Sequence, residues 1–427
     1  MKKIKLMIYV LLICLLSTNI FSFSLGINCD NFDKQLSNAK FRKFLKKLKV
    51  DFIVWHISPQ EEINYKKELY KIVKFCRRNN IKYLFNLEVV NYMEDIPYFI
   101  HEDGTKRWDL NKKILEWLDN DELFLGVVYD EAMLMQMLNH SKINGKEIKP
   151  YFVETKEMNV AKAYEAVVKK IKELKNYYAS YNKRMVFEMV FPAYAHAVAR
   201  AGGTLAPKLL KENFNDLMYY FYSGAAREYN HQELWANIDL WFHDKFPFNG
   251  KYGKDGSYHT PQQLYDALKF SYEKGFDYVY IEHVKALHDE NFNITEYGKI
   301  FLKFKHDKSN FKQISWKSFK PQYVIQMFPY GYWGQKYSLF NPYHPYGSYK
   351  DNVTLKEGNL KFLKLLNKFS KGKIPEEADN WNALFHPYFQ KTKYFMYANL
   401  PKFIVCDHLM KSLPEASIKT FKLYNDF

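Results

Sequence analysis

The sequence predicts a (β/α)8 barrel of the TIM type followed by a small α/β domain. Three observations point there. Short apolar runs end repeatedly in an acid or a histidine, most clearly Leu123-Phe-Leu-Gly-Val-Val-Tyr-Asp-Glu131 and Phe276-Asp-Tyr-Val-Tyr-Ile-Glu-His283. Buried parallel strands read as such near-continuous apolar runs. Amphipathic helical segments alternate with these runs, as βα units require. The chain has 427 residues, which fits one large barrel plus an appended unit.

Residues 1–24 read as a secretory signal. Lys2, Lys3 and Lys5 make the positive end, Leu6 to Leu16 the apolar stretch, and Ser22-Phe-Ser24 or Ser24-Leu-Gly26 the small-residue cleavage site. The expected location is therefore secreted or periplasmic, with no membrane span once the signal is removed. Residues 25–319 are assigned to the barrel and 320–427 to the C-terminal α/β domain.

Strands are expected over 50–57, 81–90, 123–130, 184–191, 216–222, 236–243 and 276–283. The eighth is either the Pro97–His101 run or the Gln322–Met327 run. In the first case Asp130/Glu131 close strand four and Glu282 strand eight; in the second, strands three and seven. Leu69, Ile72, Val73 and Cys76 mark a helix over 66–79, and Ala161, Tyr164, Val168, Ile171 and Leu174 another over 160–178. Thr260-Pro-Gln-Gln opens a helix with an N-cap and a proline in the first turn. From about Lys320 aromatic loops rich in Pro and Gly lead to a helix over 355–370 and a strand over 402–407.

Composition narrows the partners. The formal charge is +16, yet only seven of the 63 basic residues are Arg. Base readout and bidentate phosphate recognition favour Arg, so no nucleic-acid partner is expected. Cys29, Cys76 and Cys406 are too few for a disulfide scaffold; a Cys29–Cys76 bridge is the one pairing that would tie down the N-terminus. No Cys/His spacing suggests structural zinc. No cofactor and no metal are expected.

Polar groups at strand ends are the candidates for chemistry, because a barrel builds its active site at that rim. Asp130 and Glu131 end one strand and Glu282 another. Adjacent strand residues point to opposite sides, so only one of Asp130 and Glu131 faces the mouth unless the strand has already ended. A structural alternative for these acids is capping the helix that follows Glu131, and for Glu282 an ion pair with Lys285 or a histidine. Glu131 and Glu282 could supply the two carboxyls of glycoside hydrolysis, one protonating the leaving oxygen and the other attacking C1 or activating water. Asp130, as a nearby like charge, would raise the pKa of Glu131 and suit it to proton donation. His56, Glu88, Glu188 and Tyr222 are expected to bind sugar hydroxyls or to line the site. Trp241, His243 and Asp244 offer an aromatic wall with polar groups beside it.

With these strand-end acids, the aromatic strand ends and the export signal, residues 48–318 resemble the TIM-barrel glycoside hydrolases, loosely the retaining type of the large clan. The resemblance implies a barrel hydrolase acting on a polysaccharide or glycan, with Glu131 as general acid/base and Glu282 as nucleophile or second carboxylate. The residue before Glu131 is Asp130, where that clan usually carries Asn. Two other readings compete. A metal-dependent barrel hydrolase would use His56, His243, Asp244 and His283 as ligands, although the His-x-His of barrel amidohydrolases is absent from Trp55-His-Ile-Ser58. A non-catalytic carbohydrate-binding protein would keep the scaffold and lose the chemistry.

Overall fold

The computed structural model describes residues 23–29, 32–57, 65–87, 99–107, 109–137, 142–143, 145–147, 152–190, 194–210, 217–240, 259–326, 365, 403–407 and 419–422. Eight parallel strands close a barrel: β1 (Ser24–Cys29), β2 (Phe52–His56), β3 (Lys82–Asn86), β4 (Phe124–Asp130), β5 (Arg184–Met189), β6 (Thr204–Leu209), β7 (Trp235–Asp239) and β8 (Tyr278–Glu282). Each pairs with its sequence neighbours, and β1 closes the ring against β8 with Ser24 opposite Tyr278. The barrel fold is as expected; two of its strands are not where the sequence placed them.

The eighth strand is neither candidate. Phe99–Ile100 forms a two-residue hairpin with Lys106–Arg107, and Tyr323–Gln326 belongs to a separate sheet. The missing strands are β1 and β6. Of the two cleavage candidates, Ser24-Leu-Gly26 lies within β1, whose Leu25, Ile27 and Cys29 are buried. The run over 216–222 is not a strand but the start of a helix, Leu217–Glu228. Leu-Met-Tyr-Tyr-Phe-Tyr is apolar on every side because that helix is covered both by the barrel and by the C-terminal sheet.

Inside the barrel, alternate residues stack in layers. Phe52, Trp235 and Tyr278 fill the N-terminal end, with the Trp235 and Tyr278 rings stacked 4.3 Å apart. Val54, Leu84, Val128, Val186, Ala206 and Tyr280 make the middle. Above them every strand contributes a polar side chain. An aromatic plug this large needs space, and Gly26 supplies it: a Cβ there would stand 2.6 Å from the Phe52 ring.

Gly126 does a comparable job for the backbone. Its φ is +140°, and a Cβ would stand 2.1 Å from the Arg184 carbonyl oxygen on β5. A side chain is thus excluded both by conformation and by contact with main chain that cannot yield. Gly126→Ala is expected to lower the unfolding free energy by about 3 kcal/mol, read from urea denaturation.

The helices begin where the sequence signals them. Thr260 makes a full capping box with Gln263 ahead of the helix Pro261–Glu273, and Asn159 caps Val160–Ala179. The helix Tyr65–Asn79 matches the 66–79 expectation. Cys29 and Cys76 are both buried free thiols, so the bridge between them is not made. Burial pushes the Cys76 thiol up to about 12.

The C-terminal sheet has three parallel strands in the order β10-β9-β11: β9 (Tyr323–Gln326), β10 (Phe403–Cys406) and β11 (Lys419–Lys422). It docks on the helix Leu217–Glu228. Tyr220 stacks on Phe403 at 4.2 Å, and a Cβ on Gly224 would collide with the Val405 carbonyl. The Tyr164 and Tyr229 hydroxyls donate to Asp407 Oδ2 at 3.1 and 2.8 Å. Among the described residues no helix is long and apolar enough to cross a membrane.

Candidate active site at the C-terminal rim of the barrel

The last inward-facing position of each strand is polar: Asn28, His56, Asn86, Asp130, Glu188, Lys208, Asp239 and Glu282 in strand order. Each lies two residues beyond an inward residue of the layer below, as strand alternation dictates. All but His56 are buried.

Lys208 stands at the centre. Its Nζ lies 2.8 Å from Asp130 Oδ1, 3.1 Å from Glu131 Oε1, 3.0 Å from Glu282 Oε2 and 3.6 Å from Asp239 Oδ2. Burial alone would push its pKa down. The charges of Asp130, Glu282, Asp239 and Glu188 outweigh that and hold it well above the usual lysine value. Lys208 is therefore a fixed cation.

Both Asp130 and Glu131 reach this ammonium, because the strand ends between them. Glu131 has φ +48°, which breaks the alternation and turns its amide to donate to the Glu188 carbonyl at 3.1 Å. The same device recurs at β8. His283 has φ +61°, and its Nε2 lies 3.6 Å from Glu282 and 3.7 Å from Asp239. Glu282 pairs with Lys208, with His283 beside it.

Asp239 and Glu282 are register partners on β7 and β8. Burial, then the Asp239 charge, hold Glu282 well above the usual carboxylate range. The protonated form of Glu282 is favoured by both effects. Asn237 Nδ2 donates to Glu282 Oε2 at 2.7 Å and also to Glu188 Oε1. Glu188 Oε1 accepts the Tyr280 hydroxyl as well. Burial, then Asp130, push Glu188 up to about 8. On the other side, His56 Nε2 faces Asn28 Nδ2 at 2.5 Å and Asn86 Nδ2 at 3.0 Å. Asn86 Nδ2 also donates to Asp130 Oδ2 at 3.2 Å, so β1 to β4 form one polar chain.

Of the residues expected from sequence, Asp130, Glu131, Glu188, Glu282 and His56 thus converge. Tyr222 does not. It lies on the helix Leu217–Glu228, buried, and its hydroxyl donates to the Met189 carbonyl at 3.3 Å. Glu88, Trp241, His243 and Asp244 lie outside the described residues; the polar residue that β3 sends to the rim is Asn86. Sequence reasoning missed Lys208, Asn237, Asp239, Asn28 and Asn86. Parity offers a signal at Lys208 and Asn86, each two residues beyond an inward apolar side chain, Ala206 and Leu84.

The nearest oxygens of Glu131 and Glu282 both touch Lys208 Nζ, so they are at most about 6 Å apart. That upper bound is compatible with the roughly 5–5.5 Å of a retaining carboxyl pair and is shorter than the roughly 6.5–9.5 Å of an inverting one.

No family model matches this sequence, and no curated protein matches it. Solved structures share the barrel. The catalytic module of a family 98 glycoside hydrolase from Streptococcus pneumoniae, solved with the LewisY pentasaccharide, aligns with 93% of this chain and 67% of its own at 12% identity and a TM-score of 0.47. An archaeal fructose 1,6-bisphosphate aldolase aligns with 67% of this chain and 94% of its own at 7% identity and a TM-score of 0.37. The N-acetylmannosamine-6-phosphate 2-epimerase of Clostridium perfringens gives 66%, 92%, 9% and 0.32 in the same order. These are enzymes of different chemistry on one scaffold, and a shared scaffold does not transmit a reaction. What the rim does has to come from its own residues, which stand on a (β/α)8 barrel.

Proposed function

We propose that this chain is an exported, cofactor-independent glycoside hydrolase that cleaves O-glycosidic bonds of a polysaccharide or glycan with two carboxyl groups. The observation that carries the reading is the approach of Glu131 and Glu282 from β4 and β8 across one mouth, their oxygens at most about 6 Å apart. Glu131 protonates the leaving oxygen. Glu282 acts with Asp239: one member of the pair holds a proton, and the ionised member attacks C1 or takes a proton from water. Asn237 fixes Glu282 through its amide. Secretion, expected from residues 1–24, fits a polymeric substrate met outside the cell.

Two features weigh against other chemistries. Two groups of described residues have ligand atoms close enough to hold a metal, His56/Asp130/Glu282 and Asp239/Glu282/His283; a metal at either would compete with the Lys208 ammonium, which already pairs with their acids. A Schiff base would need Lys208 as a free amine, and its carboxylate neighbours keep it protonated.

The test is a reducing-end assay over a panel of polysaccharides and glycans, run with the wild-type chain, Glu131→Gln and Glu282→Gln. Each variant is expected to lose about 10²–10⁴-fold in turnover while still binding the substrate. Turnover that survives both substitutions contradicts the mechanism. Binding without turnover in the wild type favours the carbohydrate-binding alternative.

A further inference from the structure

Five acids crowd the rim, and a sixth charge decides how they coexist. Asp130, Glu131, Asp239 and Glu282 all lie within 3.6 Å of Lys208 Nζ. They come from β4, β7 and β8, so the lysine on β6 spans strands that do not all touch one another. Glu188, on β5 between β4 and β6, makes no contact of that kind. Its oxygen receives the neutral donors Tyr280 and Asn237 instead. His283 stands outside Asp239 and Glu282, and His56 reaches Asp130 only through Asn86. Among the described residues Lys208 is the one Lys or Arg in an ion pair with these acids.

We propose that Lys208 is the positioning residue of the rim: its ammonium is the counter-ion that gathers the acids of β4, β7 and β8 and decides which rim carboxyls stay ionised. Like charges at such distances repel and cannot all ionise unaided. Lys208 offsets the repulsion among the acids it touches. Replacing the ammonium by an apolar chain leaves several buried carboxylates facing one another. They then take up protons or move apart.

The inference stands apart from the hydrolytic reading, and so does its test. The intact chain is labelled with ¹³C at the Asp and Glu carboxyls, and each carboxyl is titrated by NMR in wild type, Lys208→Met and Lys208→Arg. In Lys208→Met the midpoints of Asp130, Glu131 or the Asp239/Glu282 pair are expected to rise by about 1–3 pH units. In Lys208→Arg, which keeps the charge, they are expected to stay near the wild-type values. Titrations of Lys208→Met that superpose on wild type overturn the proposal. So do equal shifts in the Met and Arg variants. Should Lys208→Met not fold, Asp130→Asn added to it removes one acid along with the cation and is expected to restore folding. A double variant no more stable than Lys208→Met alone contradicts the counter-ion role.

Discussion

Asp239→Asn and Glu282→Gln are each expected to lower kcat/KM by about 10³-fold, and the double variant to cost no more than about another tenfold. The two carboxyls are register partners and share contacts with Lys208 and His283. Groups that act as one unit give non-additive losses. Two independent residues would instead multiply to about 10⁶-fold. The pH profile adds a second reading. The Asp239 charge helps raise Glu282, so removing it lets Glu282 ionise at lower pH. The acidic limb of the residual activity of Asp239→Asn is therefore expected at lower pH than in wild type. A limb that moves upward, or losses that multiply, would count against the pair.

Stability should fall as pH rises through neutrality, and Glu188 is the main reason. Its carboxyl goes from an ordinary value of 4.5 to about 8 in the folded chain. Between those values the native state holds a proton that the unfolded chain has released. Raising the pH therefore favours unfolding, by up to about 1.4 kcal/mol per unit. Below about 4.5 both states are protonated, and above about 8 both are ionised, so the contribution is flat outside the window. Glu282 acts in the same direction. Glu188→Gln keeps a neutral side chain of the same shape that can still accept from Tyr280. It is expected to flatten the slope and to be more stable than wild type at pH 8 by several kcal/mol, on the order of 3–5. Urea denaturation at pH 5, 6, 7 and 8 measures both. An unchanged slope would show that Glu188 does not carry the proton.

The two strands hidden from sequence reasoning show where pattern reading stops. β1, Ser-Leu-Gly-Ile-Asn-Cys, begins inside a segment whose charge and apolar pattern are those of an export signal, so its strand character was absorbed by the stronger pattern. β6, Thr-Leu-Ala-Pro-Lys-Leu, carries a proline and a lysine, both of which argue against a buried strand. Pro207 is accommodated within the barrel wall, and the lysine is tolerated because four acids surround it. Neither fact is local. The run over 216–222 failed in the opposite direction: aromatic and apolar on all sides, it reads as a strand, but it is a helix covered on two faces.

The site was legible where a strand is strongly apolar up to its last residue, as at Asp130, Glu188 and Glu282. It was illegible where the polar residue sits in an already mixed sequence, as at Asn237 and Asp239. The alternation rule also misled at Glu131. The positive φ there, which no spacing reveals, lets two consecutive acids face the same cation. Lys208 matters most among the omissions, since the ionisation of the other rim groups depends on it.

Hydrolysis in H₂¹⁸O tests the central claim most directly. The wild-type chain is incubated with each glycan of the panel in labelled water, and the products are read by mass spectrometry. The account predicts one ¹⁸O at the new reducing end of a cleaved glycan, absent from parallel incubations with Glu131→Gln and Glu282→Gln. Release of unlabelled reducing ends, or label incorporation that both variants retain, would contradict a two-carboxyl hydrolysis at this rim.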